Sequence, residues 1–104
     1  MKVREAIRVD PFMVKERVKL GQFFLMDGKY ADAEKMLSSA IDFDGTYPKA
    51  YKLLGDTYLR LNDLQKALAA YTKFLEYNKV KSSMDVRQVK HNIKQITIPK
   101  ARVR

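Results

Sequence analysis

The chain has 104 residues, 46% hydrophobic and 32% charged, with a net charge of +9. That balance suits one small folded domain and argues against a disordered chain. No run reaches the roughly 18 apolar residues of a membrane span, and Met1-Lys2-Val3-Arg4 opens on charge rather than on the apolar core of a signal peptide. Cysteine is absent, which excludes disulfide frameworks, thiol nucleophiles and cysteine zinc sites, and the expected location is cytoplasmic.

In chain order the elements are helical. Val3, Ala6 and Ile7 recur at three to four residues and predict a short helix over 1–11, closed by Asp10-Pro11. The next helix runs from Phe12 to Met26 and is stopped by Asp27-Gly28, with Gly28 suited to a left-handed cap. A second runs from Lys29 or Tyr30 to Phe43, its inner face marked by Tyr30, Ala33, Leu37, Ala40 and Ile41. After the turn Asp44-Gly45-Thr46-Tyr47, Pro48 opens a helix to about Leu61, where its missing amide donor is harmless. Beyond Asn62-Asp63, Leu64, Ala67, Leu68, Tyr71, Phe74 and Leu75 form one stripe ending near Tyr77. Connections this short predict antiparallel helical hairpins. Ser82-Ser83-Met84-Asp85 resembles a capping box ahead of a fifth helix, 82–96, with Val86, Val89, Ile93 and Ile96 inward. Residues 97–104 read as a basic, flexible tail.

Charge follows this layout. Residues 79–104 hold eight Lys/Arg against Asp85 alone, a net of +7, and leave only +2 to residues 1–78. Such asymmetry points to an acidic partner or to a solvated helix face with a tail.

One stretch occurs twice. Tyr51-Lys52-Leu53-Leu54-Gly55-Asp56-Thr57-Tyr58 has a diluted copy, Arg17-Val18-Lys19-Leu20-Gly21-Gln22-Phe23-Phe24, 34 residues upstream. Glycine inside a helix costs about 1 kcal/mol relative to alanine, so two Leu-Gly pairs in register call for close helix crossings, where axes about 8–10 Å apart leave no room for long side chains.

This 34-residue period of two helices resembles the tetratricopeptide repeat. The first repeat, 14–47, matches it at Leu20, Gly21, Phe24 and Ala33; the second, 48–81, at Leu54, Gly55, Tyr58 and Ala67, with Tyr51 for the usual Trp and Tyr71 for the Phe. Arg17 stands where the large aromatic is usual, Gly45 where the closing Pro is, and Phe74 where Ala40 supplies a small residue. The Phe74 departure suggests a fifth helix docked at a non-standard angle. The resemblance implies an all-α fold of antiparallel helical hairpins stacked as a right-handed superhelix, with a C-terminal capping helix and a short N-terminal helix. Residues 4–11 look either like the end of a preceding repeat or like a simple cap; in the first case the face beside Phe12 and Phe24 offers a route to homo-oligomers.

The resemblance also implies a concave groove lined by the first helix of each pair. Helical spacing then places Lys15, Val18, Gln22, Leu25 and Met26 there from the first repeat, and Lys49, Lys52, Asp56, Leu59 and Arg60 from the second. The fifth helix adds Ser83, Val86, Arg87, Lys90 and Lys94. A largely basic groove of this kind suits an acidic, partly hydrophobic segment of another protein, unless its lysines are simply solvated. Some family members grip a heat-shock chaperone's C-terminal carboxylate with Lys, Asn and Arg; the matching positions here are Val18, Gln22, Leu53, Ser83 and Arg87, of which only Arg87 fits.

Nothing in the sequence suggests an enzyme, a metal or another cofactor. His91 is the one histidine, on a polar helix face, and Asp42-Phe43-Asp44-Gly45 lacks the remaining ligands of a calcium loop. The expected function is a protein-binding scaffold or adaptor. The alternative is association with nucleic acid or another anionic surface through residues 79–104, by phosphate contact alone because that stretch has no aromatic residue for base stacking.

Overall fold

The computed structural model describes residues 11–79 and 83–97. Among these residues all regular structure is helical: α1 (Pro11–Met26), α2 (Tyr30–Phe43), α3 (Pro48–Arg60), α4 (Leu64–Tyr77) and α5 (Met84–Thr97). The chain is thus an all-α helical repeat; its last helix starts at Met84, two residues after the expected 82. The expected helix over 1–11 and the tail over 97–104 lie, apart from Pro11 and Thr97, outside the described residues.

The 34-residue period recurs in the backbone. α1 ends at Gly28 (φ 79°) and α3 at Asn62 (φ 62°), both in the left-handed region that Gly and Asn tolerate best. At the first end Gly28 N donates to Leu25 O and Lys29 N to Phe24 O; at the second Asn62 N donates to Leu59 O and Asp63 N to Tyr58 O. Asp63 then caps α4 by accepting from Lys66 N at 3.3 Å.

Both helical glycines sit at close crossings. A Cβ on Gly21 would lie 2.6 Å from Leu37 Cγ, and one on Gly55 would lie 2.5 Å from Tyr71 Cδ1. Leu37 and Tyr71 are again 34 residues apart, so each hairpin closes by pressing a bulky side chain of its second helix onto a glycine of its first. Ala33, Ala40 and Ala67 are fully buried at the remaining tight points.

The core has two parts. Val14, Val18, Leu37, Ala50, Leu53 and Leu54 join α1, α2 and α3, while Ala67, Tyr71, Phe74, Val86 and Val89 join α4 to α5. Tyr58 packs against both. Phe74 is buried where Ala40 stands in the first repeat and fills the space under Val86 and Val89.

Several sequence expectations are corrected. Leu20 is 41% exposed although its counterpart Leu54 is 6% exposed: Leu54 faces the preceding hairpin, and no described helix precedes α1. Leu64 is also exposed, and Ala70 takes its place in the core. The cap of α5 is Ser83, whose Oγ accepts from Val86 N at 3.2 Å; the third helical residue is therefore valine, so the acid of a capping box is missing.

Arg17 explains its own departure from the aromatic pattern. Its guanidinium lies 4.7 Å from the Phe43 ring centroid and donates to Ser39 Oγ at 2.7 Å, so a flat cation replaces a flat ring between the two helices. Tyr51, in the matching place, donates its hydroxyl to Gly45 O at 2.6 Å and stacks on Tyr77 at 5.7 Å between centroids.

Candidate binding groove

A groove of about 590 Å³ runs across the C-terminal halves of α1 and α3 and is closed by α5. α1 contributes Gln22, Leu25 and Met26, the turn after it adds Asp27 and Gly28, and the start of α2 adds Tyr30. α3 contributes Lys52, Leu53, Asp56, Leu59 and Arg60; α5 contributes Gln88 and Asn92. Apolar side chains, amides and charges all line it, with Leu53 buried beneath it and Met26 exposed.

A polar chain ties the groove to the core. Lys52 Nζ is 3.1 Å from Asp56 Oδ2, a pair at i and i+4 whose side chains are 14% and 22% exposed. Tyr71, fully buried on α4, donates its hydroxyl to Asp56 Oδ1 at 2.5 Å and accepts from Asn92 Nδ2 at 3.1 Å. Three helices meet through that hydroxyl. Burial pushes the Tyr71 pKa far above the usual tyrosine value, the bond to Asp56 and its charge push the same way, and the bond from Asn92 opposes them. On the α2 side, Tyr58 donates to Glu34 Oε2 at 2.8 Å, and burial with that bond pushes its pKa up to about 12.

Of the fifteen residues expected in the groove, it brings together Gln22, Leu25, Met26, Lys52, Asp56, Leu59 and Arg60. Val18 does not reach it: at 3% exposure it belongs to the core. Lys15 and Lys49 are exposed near the other ends of α1 and α3, seven residues or about 10 Å along the helix from Gln22 and Asp56. Arg87, Lys90 and Lys94 are exposed on one flank of the buried Val86-Val89 stripe, whereas Gln88 and Asn92 on the other flank face the groove. Val86 itself is buried. The helical period defines the stripe of α5, but which flank turns toward α3 depends on how the stripe docks, and docking on Phe74 selects the amide flank.

The groove is consequently balanced in charge, with Lys52 and Arg60 against Asp27 and Asp56. Lys52 is committed to Asp56, and Asp27 lies 3.6 Å from Lys29. Arg60 is in no such pair: its Nη1 reaches the Tyr30 hydroxyl, at 3.5 Å, and among the described residues no carboxylate pairs with it. Lys52 and Asp56, expected in the groove, also tie α3 to α4 through Tyr71.

No group of three or more His, Cys, Asp or Glu side chains gathers among the described residues. Asp44 of the Asp42-Asp44 pair accepts from Thr46 N and Oγ1 at 3.0 and 2.8 Å, which closes the turn before α3. His91 is exposed. No described helix is long and apolar enough to cross a membrane.

The family model for the tetratricopeptide repeat matches residues 24–79. The general transcriptional corepressor trfA of Dictyostelium discoideum is 29% identical over 70 residues, which cover 67% of this chain and 5% of that protein. The chain thus spans a small fraction of that relative. Among solved structures, the first tetratricopeptide domain of Spaghetti (RPAP3), bound to the HSP90 peptide SRMEEVD, superposes with a TM-score of 0.72 at 22% identity. That match covers 84% of this chain and 65% of the other, and it establishes a shared fold.

Proposed function

The chain belongs to the tetratricopeptide repeat family, and from that premise we propose that it is an interaction scaffold holding a segment of another protein in the groove between α1, α3 and α5. The observation that carries this reading is the groove itself, where three helices bring Leu25, Leu59, Gln22, Asn92 and an unpaired Arg60 around one opening. Side-chain amides suit the main chain of an extended segment, the leucines suit an apolar side chain, and the Arg60 guanidinium suits a carboxylate in bidentate geometry. An acidic, partly apolar segment fits this set, and the positive net charge of the chain favours its approach.

The chaperone tail held by the structural neighbour is not the favoured ligand. Val18 is buried, Leu53 is apolar, and Arg87, which matches the clamp by position, stands outside the groove. The groove supports a different acidic segment.

A second reading draws on Arg87, Lys90 and Lys94, exposed together on the outer flank of α5, which suit phosphate contacts with nucleic acid. Salt separates the two. If these three act with the other cations of residues 79–104, whose net charge is +7, contact with about seven phosphates predicts a slope of log affinity against log salt near −6 for duplex DNA, whereas a groove-bound peptide gives a shallow slope. A shallow slope for peptide with weak DNA binding supports the scaffold; tight DNA binding with the steep slope, lost in Lys90→Glu with Lys94→Glu, supports the second reading.

A further inference from the structure

A second opening, of about 260 Å³, lies on the far side of α3 from the groove. α3 presents Tyr51, Leu54 and Tyr58 to it, and α4 supplies Ala69 and Ala70. At 3.6 residues per turn, those α3 residues fall opposite Lys52, Asp56 and Leu59, so the two openings use opposite faces of one helix. Lys66 and Lys73 stand at the rim.

The first hairpin carries bulkier residues at two of the matching positions. Thirty-four residues upstream, Arg17 replaces Tyr51, and Lys35 and Met36 replace Ala69 and Ala70. Arg17 lies across Phe43 and reaches Ser39. In the second hairpin Tyr51 turns instead to Gly45 and Tyr77, over two alanines.

The rim is cationic. Lys66 Nζ lies 5.6 Å from the Tyr58 ring centroid and 3.9 Å from Asp63, with its side chain 62% exposed. Lys73 Nζ lies 5.8 Å from the Tyr77 ring. Glu34, the carboxylate facing this side from α2, is engaged by the Tyr58 hydroxyl. Pockets for whole small ligands run to about 300–1,000 Å³, so this smaller, apolar slot suits a side chain. The two lysines, seven residues apart on α4, are separated by about 10 Å along the axis, which is the rise of about three residues of an extended chain.

We propose that this slot is a second peptide site, which takes one aliphatic side chain of an extended partner segment whose flanking carboxylates pair with Lys66 and Lys73. A scaffold with ligands on both faces of α3 joins two segments rather than holding one.

The test is a titration of the ¹⁵N-labelled full chain with the blocked peptide Glu-Leu-Ala-Glu, set beside Gln-Leu-Ala-Gln and Glu-Gly-Ala-Glu. The expected result is saturable shifts of the Tyr51, Ala69, Ala70 and Lys73 amides with the first peptide and much weaker ones with the other two. Ala69→Leu fills the slot from an exposed position; it is expected to weaken binding by about tenfold with an unchanged melting temperature. Lys66→Gln with Lys73→Gln is expected to weaken it by about two- to tenfold, because each rim pair is solvent-exposed. Equal binding of the three peptides, no saturation, shifts confined to Gln22, Leu59 and Asn92, or unaltered binding to Ala69→Leu would overturn the proposal.

Discussion

The glycines separate close packing from mere tolerance. Gly55 meets the Tyr71 ring and Gly21 meets Leu37, whereas Gly45 has no atom nearer than 3.7 Å to an added Cβ and no positive φ. Gly55→Ala must displace a fully buried ring, and overpacking of this kind costs about 1–3 kcal/mol. Gly45→Ala removes backbone freedom from the unfolded chain and is expected to stabilise by about 0.4–1 kcal/mol. Urea unfolding of both variants measures the contrast, and a Gly55→Ala protein as stable as the parent contradicts the crossing. These crossings were legible in the sequence, because a glycine repeated in register inside helices has few other reasons to be there. The use of Arg17 was not: nothing in its type announces that its guanidinium will lie on Phe43 and reach Ser39.

Among the elements, α5 decides the groove. It rests on Phe74 through Val86 and Val89, and one polar contact, Asn92 to Tyr71, fixes its rotation. Tyr71→Phe keeps the ring over Gly55 but strands the Asp56 carboxylate and the Asn92 amide, at a cost of about 1–3 kcal/mol. Hydrogen exchange is expected to show the loss chiefly in α5, with α1 and α2 unchanged; uniform loss over all helices would contradict a local tie. Ser83→Ala, which removes the cap, is expected to cost about 1 kcal/mol and to fray the same helix, as followed by circular dichroism. Helix limits and the apolar stripe of α5 follow from spacing alone. Its rotation does not, since stripe width leaves two flanks open and the fit of Phe74 beneath the valines, with the Asn92–Tyr71 contact, chooses between them. Reading α5 as a regular first helix therefore put Arg87, Lys90 and Lys94 in the groove, and the structure puts Gln88 and Asn92 there.

At the scale of the whole molecule, the two hairpins and α5 stand or fall partly on tyrosines that must stay protonated. The pKa of Tyr58 is pushed up to about 12, and those of Tyr71 and Tyr51 are raised. Groups raised in the folded state favour folding fully below the ordinary tyrosine value of about 10, where both states are protonated. Above it the unfolded chain ionises first, so stability falls as pH climbs from about 10 through the folded values. Urea midpoints between pH 8 and pH 12 are expected to stay level and then drop, and Tyr58→Phe is expected to make the drop shallower. A midpoint that rises across this window would contradict the assignment. The same scale holds the functional claim: Arg60 is the groove cation without a carboxylate partner among the described residues, while the cluster on α5 faces away. Fluorescence anisotropy decides it most directly, with an acidic peptide selected from a displayed library on the full chain. The account predicts that Arg60→Glu weakens the peptide by about tenfold or more, as loss of a charge-assisted pair does, and that Arg87→Glu with Lys90→Glu changes it little. Strong loss in the α5 pair with none at Arg60 would contradict the groove as the functional surface.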